Sequence, residues 1–179
     1  MRLILFTADV WQHVCPILRI VGPVQRAGWE LIPGNEWQAG QLQVFPERVN
    51  AADIVVIQRD FPRYVQAYRQ VLAQARDLNK TLIYEIDDLL VELDVSHPDY
   101  HRYTSVRHSI LAAIVEADAV SCSTPSMQSY VRQFNPNTWV LPNYLDDQLW
   151  SLRSIPSQDA ETNQQRPIVI GRCWLVSAS

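Results

Sequence analysis

Apolar residues follow two rhythms along this chain. Unbroken runs, such as residues 3–6 (Leu-Ile-Leu-Phe) and 54–57 (Ile-Val-Val-Ile), read as strands buried on both faces. Elsewhere apolar positions recur every three or four residues, which is the spacing of one helical face. Residues 12–27 set Val14, Leu18, Val21 and Val24 on one side, with Gly28 as a stop and Gly22-Pro23 as an expected kink or interruption. Residues 62–78 turn Val65, Tyr68, Leu72 and Ala75 inward, and residues 105–117 do so with Val106, Ile110, Ile114 and Ala117. The same patterns predict strands at 29–32, 53–58, 81–86, 119–122 and 138–141, and a helix at 125–134. Residues 33–35 (Pro-Gly-Asn) form a turn, and 36–47 read as loop with room for one short strand.

Strands alternating with helices imply a parallel sheet covered on both faces and joined by right-handed crossovers. The expected fold class is therefore α/β, a Rossmann-like, doubly wound domain over residues 1–153. Residues 154–166 are polar and nearly free of apolar side chains, as a linker would be. Residues 167–171 (Pro-Ile-Val-Ile-Gly) look like the opening strand of a second α/β unit, with too little chain after it to complete one.

Composition narrows the function classes. Hydrophobic residues make up 47% of the 179, too many for a disordered chain. Three scattered cysteines, Cys15, Cys122 and Cys173, argue against a disulfide scaffold and for a reducing compartment. The net charge is −4, and without a Lys/Arg run the chain has no nucleic-acid footprint. The longest purely apolar run, residues 110–115, is far short of the roughly 20 a spanning helix needs. Asp9 arrives too early for a signal peptide's apolar region. The expected location is cytoplasmic, in solution or peripheral at a membrane, with no transmembrane segment.

Ligands of open parallel sheets bind beyond the carboxyl ends of the strands, so the residues just past each strand matter most. After the first come Thr7, Ala8 and Asp9, and after 53–58 come Arg59 and Asp60. Asp87 and Asp88 come after 81–86, Ser123 and Thr124 after 119–122, and Asn143 after the last strand. A structural edge does not need so many polar groups, so we read this as the functional edge. Bland readings exist for each: Thr124 before Pro125 is an ordinary N-cap, Asp60 before Pro62 is another, and Arg59 pairs with Asp60 or Asp88. Asp87 and Asp88, lying at the sheet's mouth, favour function over a solvated loop pair. His97 and His101 have the spacing of two ligands on a helical face, but Pro98 interrupts it and no third ligand is near, so no metal is expected. Neither a dinucleotide fingerprint nor a P-loop comes after the first strand, and no cofactor is expected.

The runs Ala-Asp-Ile-Val-Val-Ile-Gln-Arg-Asp (52–60), Leu-Ile-Tyr-Glu-Ile-Asp-Asp-Leu-Leu (82–90) and Ser-His-Pro-Asp-Tyr (96–100) resemble the N-terminal half of GT-B-type glycosyltransferases. So do Glu-Ala-Asp-Ala-Val (116–120), Ser-Thr-Pro (123–125) and Val-Leu-Pro-Asn-Tyr-Leu-Asp (140–146), the whole set being most similar to the retaining, nucleotide-sugar-dependent group. The resemblance spans roughly residues 1–170. It implies one of two Rossmann-like domains facing across a cleft: the acceptor side, with the sugar nucleotide held by the other domain. The segment from Asp9 to Arg19 would border that cleft, with Arg59, Asp60, Asp87, Asp88 and Thr124, while Asn143 and Asp146 would lie near the crossing between domains. The implied partners are a sugar acceptor (a glycan, a lipid or a small molecule) and a nucleotide sugar only when a donor domain is supplied. No residue of this chain is assigned a catalytic role.

The Glu-x7-Glu pair and the Gly-rich loop of the donor domain are missing. Residues 172–179 (Arg-Cys-Trp-Leu-Val-Ser-Ala-Ser) stand where that loop would begin, as a shifted frame or a truncation would leave them. The expectation is thus an acceptor-side domain with negligible transferase activity alone. Two other readings stay open: a free-standing sugar- or nucleotide-binding module, and half of a split enzyme. A phospho-receiver domain is disfavoured, because the sole lysine, Lys80, precedes its strand instead of ending a late one.

Overall fold

The computed structural model describes residues 1–143. In chain order these form β1 (Arg2–Thr7), a helical stretch of α1 (Val14–Pro16), a π-turn (Ile17–Val21) and α2 (Gly22–Arg26), then β2 (Glu30–Pro33), β3 (Asn35–Gln38) and β4 (Gln41–Val44). A 3-10 turn (Pro46–Ala51) leads to β5 (Ile54–Gln58), and a second (Phe61–Arg63) to α3 (Val65–Asp77). Next come β6 (Thr81–Ile86), α4 (Tyr100–Thr104), α5 (Arg107–Glu116), β7 (Ala119–Cys122), α6 (Pro125–Val131) and β8 (Thr138–Val140).

Six strands make one parallel sheet in the order β2-β1-β5-β6-β7-β8. The fold is the expected α/β, Rossmann-like arrangement. Period-two alternation divides the apolar strand residues between two cores. Ile4, Phe6, Val55, Ile57, Leu82, Tyr84, Ile86 and Val120 face the larger one, together with Val71 and Leu72 of α3, Ile110 and Ile114 of α5 and Val131 of α6. Leu3, Leu5 and Val56 face the smaller one, closed by Ile20 and Val24 of the first helical stretch. The connection leaves β1 toward β2 but leaves β5 in the opposite direction, so the winding reverses between β1 and β5. Such a reversal opens a crevice at the carboxyl ends of those two strands.

Several expected boundaries shift for local reasons. The helix of residues 12–27 is interrupted as expected, by a π-turn running into Gly22-Pro23, since Pro23 has no N–H to give the helical ladder. Gly28 ends it at φ 67°. Residues 36–47 hold a two-stranded antiparallel hairpin rather than mostly loop, with Trp37 opposite Leu42. Its two-residue turn puts both Ala39 (φ 49°) and Gly40 (φ 76°) in the left-handed region. Alanine at the first turn position hides the usual Asn-Gly signal. The helix expected at 62–78 begins as a 3-10 turn, and Val65 is 38% exposed instead of inward, while Tyr68, Leu72 and Ala75 are buried as expected. The helix at 105–117 shortens to α5, and α4 precedes it without a sequence signal that marked it. The helix at 125–134 ends at Val131. The linker at 154–166, the strand at 167–171 and the two-domain boundary lie outside the described residues.

Candidate functional site

Residues at the carboxyl ends of three adjacent strands set the base of the site. Thr7, Gln58 and Glu85 stand side by side in register and all three are fully buried. On this side of the sheet they continue the row Leu5–Val56–Ile83, so polar groups replace apolar ones where the strands end. Thr7 is satisfied by Asn35: its N–H donates to the Asn35 Oδ1 at 2.8 Å, and Asn35 Nδ2 donates to its carbonyl at 2.9 Å. That two-way contact ties the hairpin to the end of β1.

Glu85 is paired by Arg19, which descends from the π-turn above. Arg19 Nε donates to Glu85 Oε1 at 2.7 Å, the two side chains being 2% and 0% exposed. Arg19 Nη1 donates to the Leu141 carbonyl and, at 2.9 Å, to Asn143 Oδ1. One guanidinium therefore joins the first helical stretch to β6 and to the chain leaving β8. Burial pushes the Glu85 carboxyl above the usual carboxylate range, against the pull of Arg19. Arg19 and Asn143 thus come together, as expected of neighbours at the cleft, with Arg19 buried and Asn143 exposed.

The expected cleft residues Arg59, Asp87 and Asp88 do meet. Arg59 has φ 49°, a costly conformation for a residue with a side chain. Its N–H donates to the Glu85 carbonyl at 2.8 Å, and its own carbonyl accepts from the Tyr84 hydroxyl. So fixed, the guanidinium lies 3.3 Å (Nε) from Asp87 Oδ1 and 3.2 Å (Nη2) from Asp88 Oδ2, and Nη1 donates to Cys15 Sγ at 2.7 Å. Asp9 is close enough for its charge to act on both Arg59 and Cys15. Burial, with the neighbouring Asp87 charge, pushes the Asp88 carboxyl up against the pull of Arg59. Burial also raises the Cys15 thiol to about 11, so this sulfur is no nucleophile near neutral pH.

Asp60 departs from expectation. It is buried and turns to Arg63 Nη1 at 2.7 Å, with Arg102 Nη2 at 3.4 Å, instead of pairing with Arg59. Arg63, three residues on, lies on the 3-10 turn just after Asp60, and so competes successfully for its carboxylate. Thr124 takes its bland role, capping α6 by accepting from the Met127 N–H at 3.2 Å. Sequence reasoning did not single out Glu85, Gln58, Cys15 or Tyr103, the last lying close enough to Arg59 to feel its charge. The available signal for the first two was a polar residue at an inward position closing an apolar strand.

Chemically, the edge sets three carboxylates, Asp9, Asp87 and Asp88, against the one guanidinium of Arg59. Such a set accepts hydrogen bonds from hydroxyl groups and repels phosphate. Among the described residues no group of three or more His, Cys, Asp and Glu side chains is placed to hold a metal ion. His97 Nδ1 instead accepts from the Asp99 N–H at 3.1 Å, and His101 packs edge-on against Tyr100. No helix among the described residues is long and apolar enough to cross a membrane. No family model matches the chain, and comparison with curated proteins finds no significant relative.

Proposed function

We propose that residues 1–153 are the acceptor-side domain of a GT-B glycosyltransferase that moves a sugar from a nucleotide diphosphate onto a hydroxylated acceptor. A second domain or chain supplies the donor site. The observation that carries this reading is the excess of carboxylate over guanidinium at the strand ends, in the stretches of sequence that resemble that family. Asp9, Asp87 and Asp88 offer acceptors for sugar hydroxyls, and Arg59 holds the two neighbouring carboxylates in place. A sugar nucleotide, with two phosphates, is poorly served there.

The reading is tested by titrating the 15N-labelled full chain with maltose, cellobiose, lactose and UDP-glucose while monitoring backbone amides. The expected outcome is shifts at residues 8–9, 59–60 and 87–88 with at least one disaccharide, weakened in Arg59→Ala. UDP-glucose should shift none of them more strongly than the free sugars. Preferential binding of UDP-glucose at these residues, or their indifference to every sugar, would overturn it.

A further inference from the structure

Beyond the strand ends, the loop after β6 borders a half-open cavity of about 500 Å3 against α4. That lies within the roughly 300–1,000 Å3 usual for small-molecule sites. Leu90 and Val91 give it a floor belonging to the main core. Glu92, Asp94, Tyr100, Tyr103, Thr104 and Arg107 line its walls.

Hydrogen bonds within the chain engage part of the polar lining. Glu92 Oε1 accepts from Arg107 Nη2 and, at 2.8 Å, from the Tyr130 hydroxyl, which spans from α6. Asp94 Oδ1 accepts from the N–H and the hydroxyl of Ser96 at 2.8 and 2.6 Å, which orients the carboxylate; its second oxygen has no hydrogen bond among the described residues. The Thr104 hydroxyl donates to the Tyr100 carbonyl at 2.8 Å and retains lone pairs. The Tyr100 hydroxyl makes no hydrogen bond among the described residues. The unused capacity is thus mainly for accepting, beside Tyr100 and Tyr103, the latter's ring carrying the Arg102 guanidinium at 5.3 Å. With two carboxylates against one guanidinium, an anion is disfavoured. A neutral ring bearing several hydroxyls satisfies every one of these demands.

We propose that this cavity binds a neutral saccharide unit, one or two rings in size. The choice of ligand rests on the acceptor-domain reading. Tyr103, which lines the cavity and lies close enough to Arg59 to feel its charge, places the two sites near one another, so one acceptor chain can occupy both.

The same titration of the full chain with maltose, cellobiose and lactose tests it, extended to Tyr100→Ala and Asp94→Asn and to spermidine as a cationic probe. At least one disaccharide should shift residues 90–95 and 100–107, and each variant should weaken that binding about tenfold. Asp94→Asn keeps the shape of the side chain, so its effect survives any loss of helix in Tyr100→Ala. Shifts at 8–9, 59–60 and 87–88 alone would overturn the cavity proposal and leave the acceptor-domain reading standing. Shifts confined to the cavity uphold the proposal and sink the strand-end reading. No disaccharide shift at 90–107, affinity unchanged in both variants, or shifts there with spermidine and not with sugars would each overturn it.

Discussion

Arg19 and Glu85 form the most consequential residue pair in the described chain. A buried ion pair adds little net stability when intact, but removing one partner leaves an uncompensated charge costing about 3–5 kcal/mol. Arg19→Met should lose that much in urea unfolding at pH 7. The pair also sets a pH dependence. Glu85 is held above its ordinary value of 4.5, so the folded state binds this proton more readily than the unfolded chain. Its contribution is full below that ordinary value and is lost as pH rises through the elevated folded value. Glu85→Gln keeps an acceptor for Arg19 but does not titrate. As pH rises from about 4.5 through the elevated folded value, its stability relative to the native chain should therefore rise, by at most about 1.4 kcal/mol per pH unit. A difference that stays flat across that range would refute the assignment.

Among the elements, the turn between β2 and β3 is the least forgiving. Gly34 donates its N–H to the Leu5 carbonyl at 2.9 Å, drawing the hairpin against β1. A Cβ there would lie 2.6 Å from the Phe6 ring and 2.8 Å from the Leu5 oxygen, which is backbone and cannot step aside. Gly34→Ala should therefore cost about 1–3 kcal/mol by overpacking and disturb the Asn35 contact to Thr7. Gly40→Ala meets nothing within 4 Å, and its φ of 76° alone sets the cost, about 1 kcal/mol. Thermal melts of the two variants should rank in that order. At this scale the sequence was legible where strands carry unbroken apolar runs: β6 begins and ends where expected. It was least legible in the hairpin, whose first strand, Asn35–Gln38, has one apolar residue and whose turn starts with alanine.

Across the whole molecule, stability should track the sheet's own geometry. β5 and β6 are hydrogen bonded on both sides and buried between the two cores, whereas β8 has one neighbour and the hairpin pairs only with itself. Native-state hydrogen exchange should accordingly be slowest in Ile54–Gln58 and Thr81–Ile86, and fastest in the hairpin and residues 87–99. Equal protection throughout would contradict a two-core sheet. The loop that carries Asp87, Asp88, Glu92 and Asp94 falls in the quickly exchanging class, held at its start by a rigid sheet.

The amino-acid sequence alone determined the α/β class, the strands of the sheet and the edge on which Arg59, Asp87 and Asp88 would gather. These come from periodicity and from where polar residues interrupt it, both local properties. Tertiary structure alone decided which polar residues meet. Arg19 reaches Glu85, 66 positions away, and Arg102 reaches Asp60, 42 positions away. Sequence spacing carries no information about such partners, because side chains on separate elements compete for the same charge only after the strands align. The cavity beside α4 belongs to the same class: its walls come from a loop and two helices that only packing brings together.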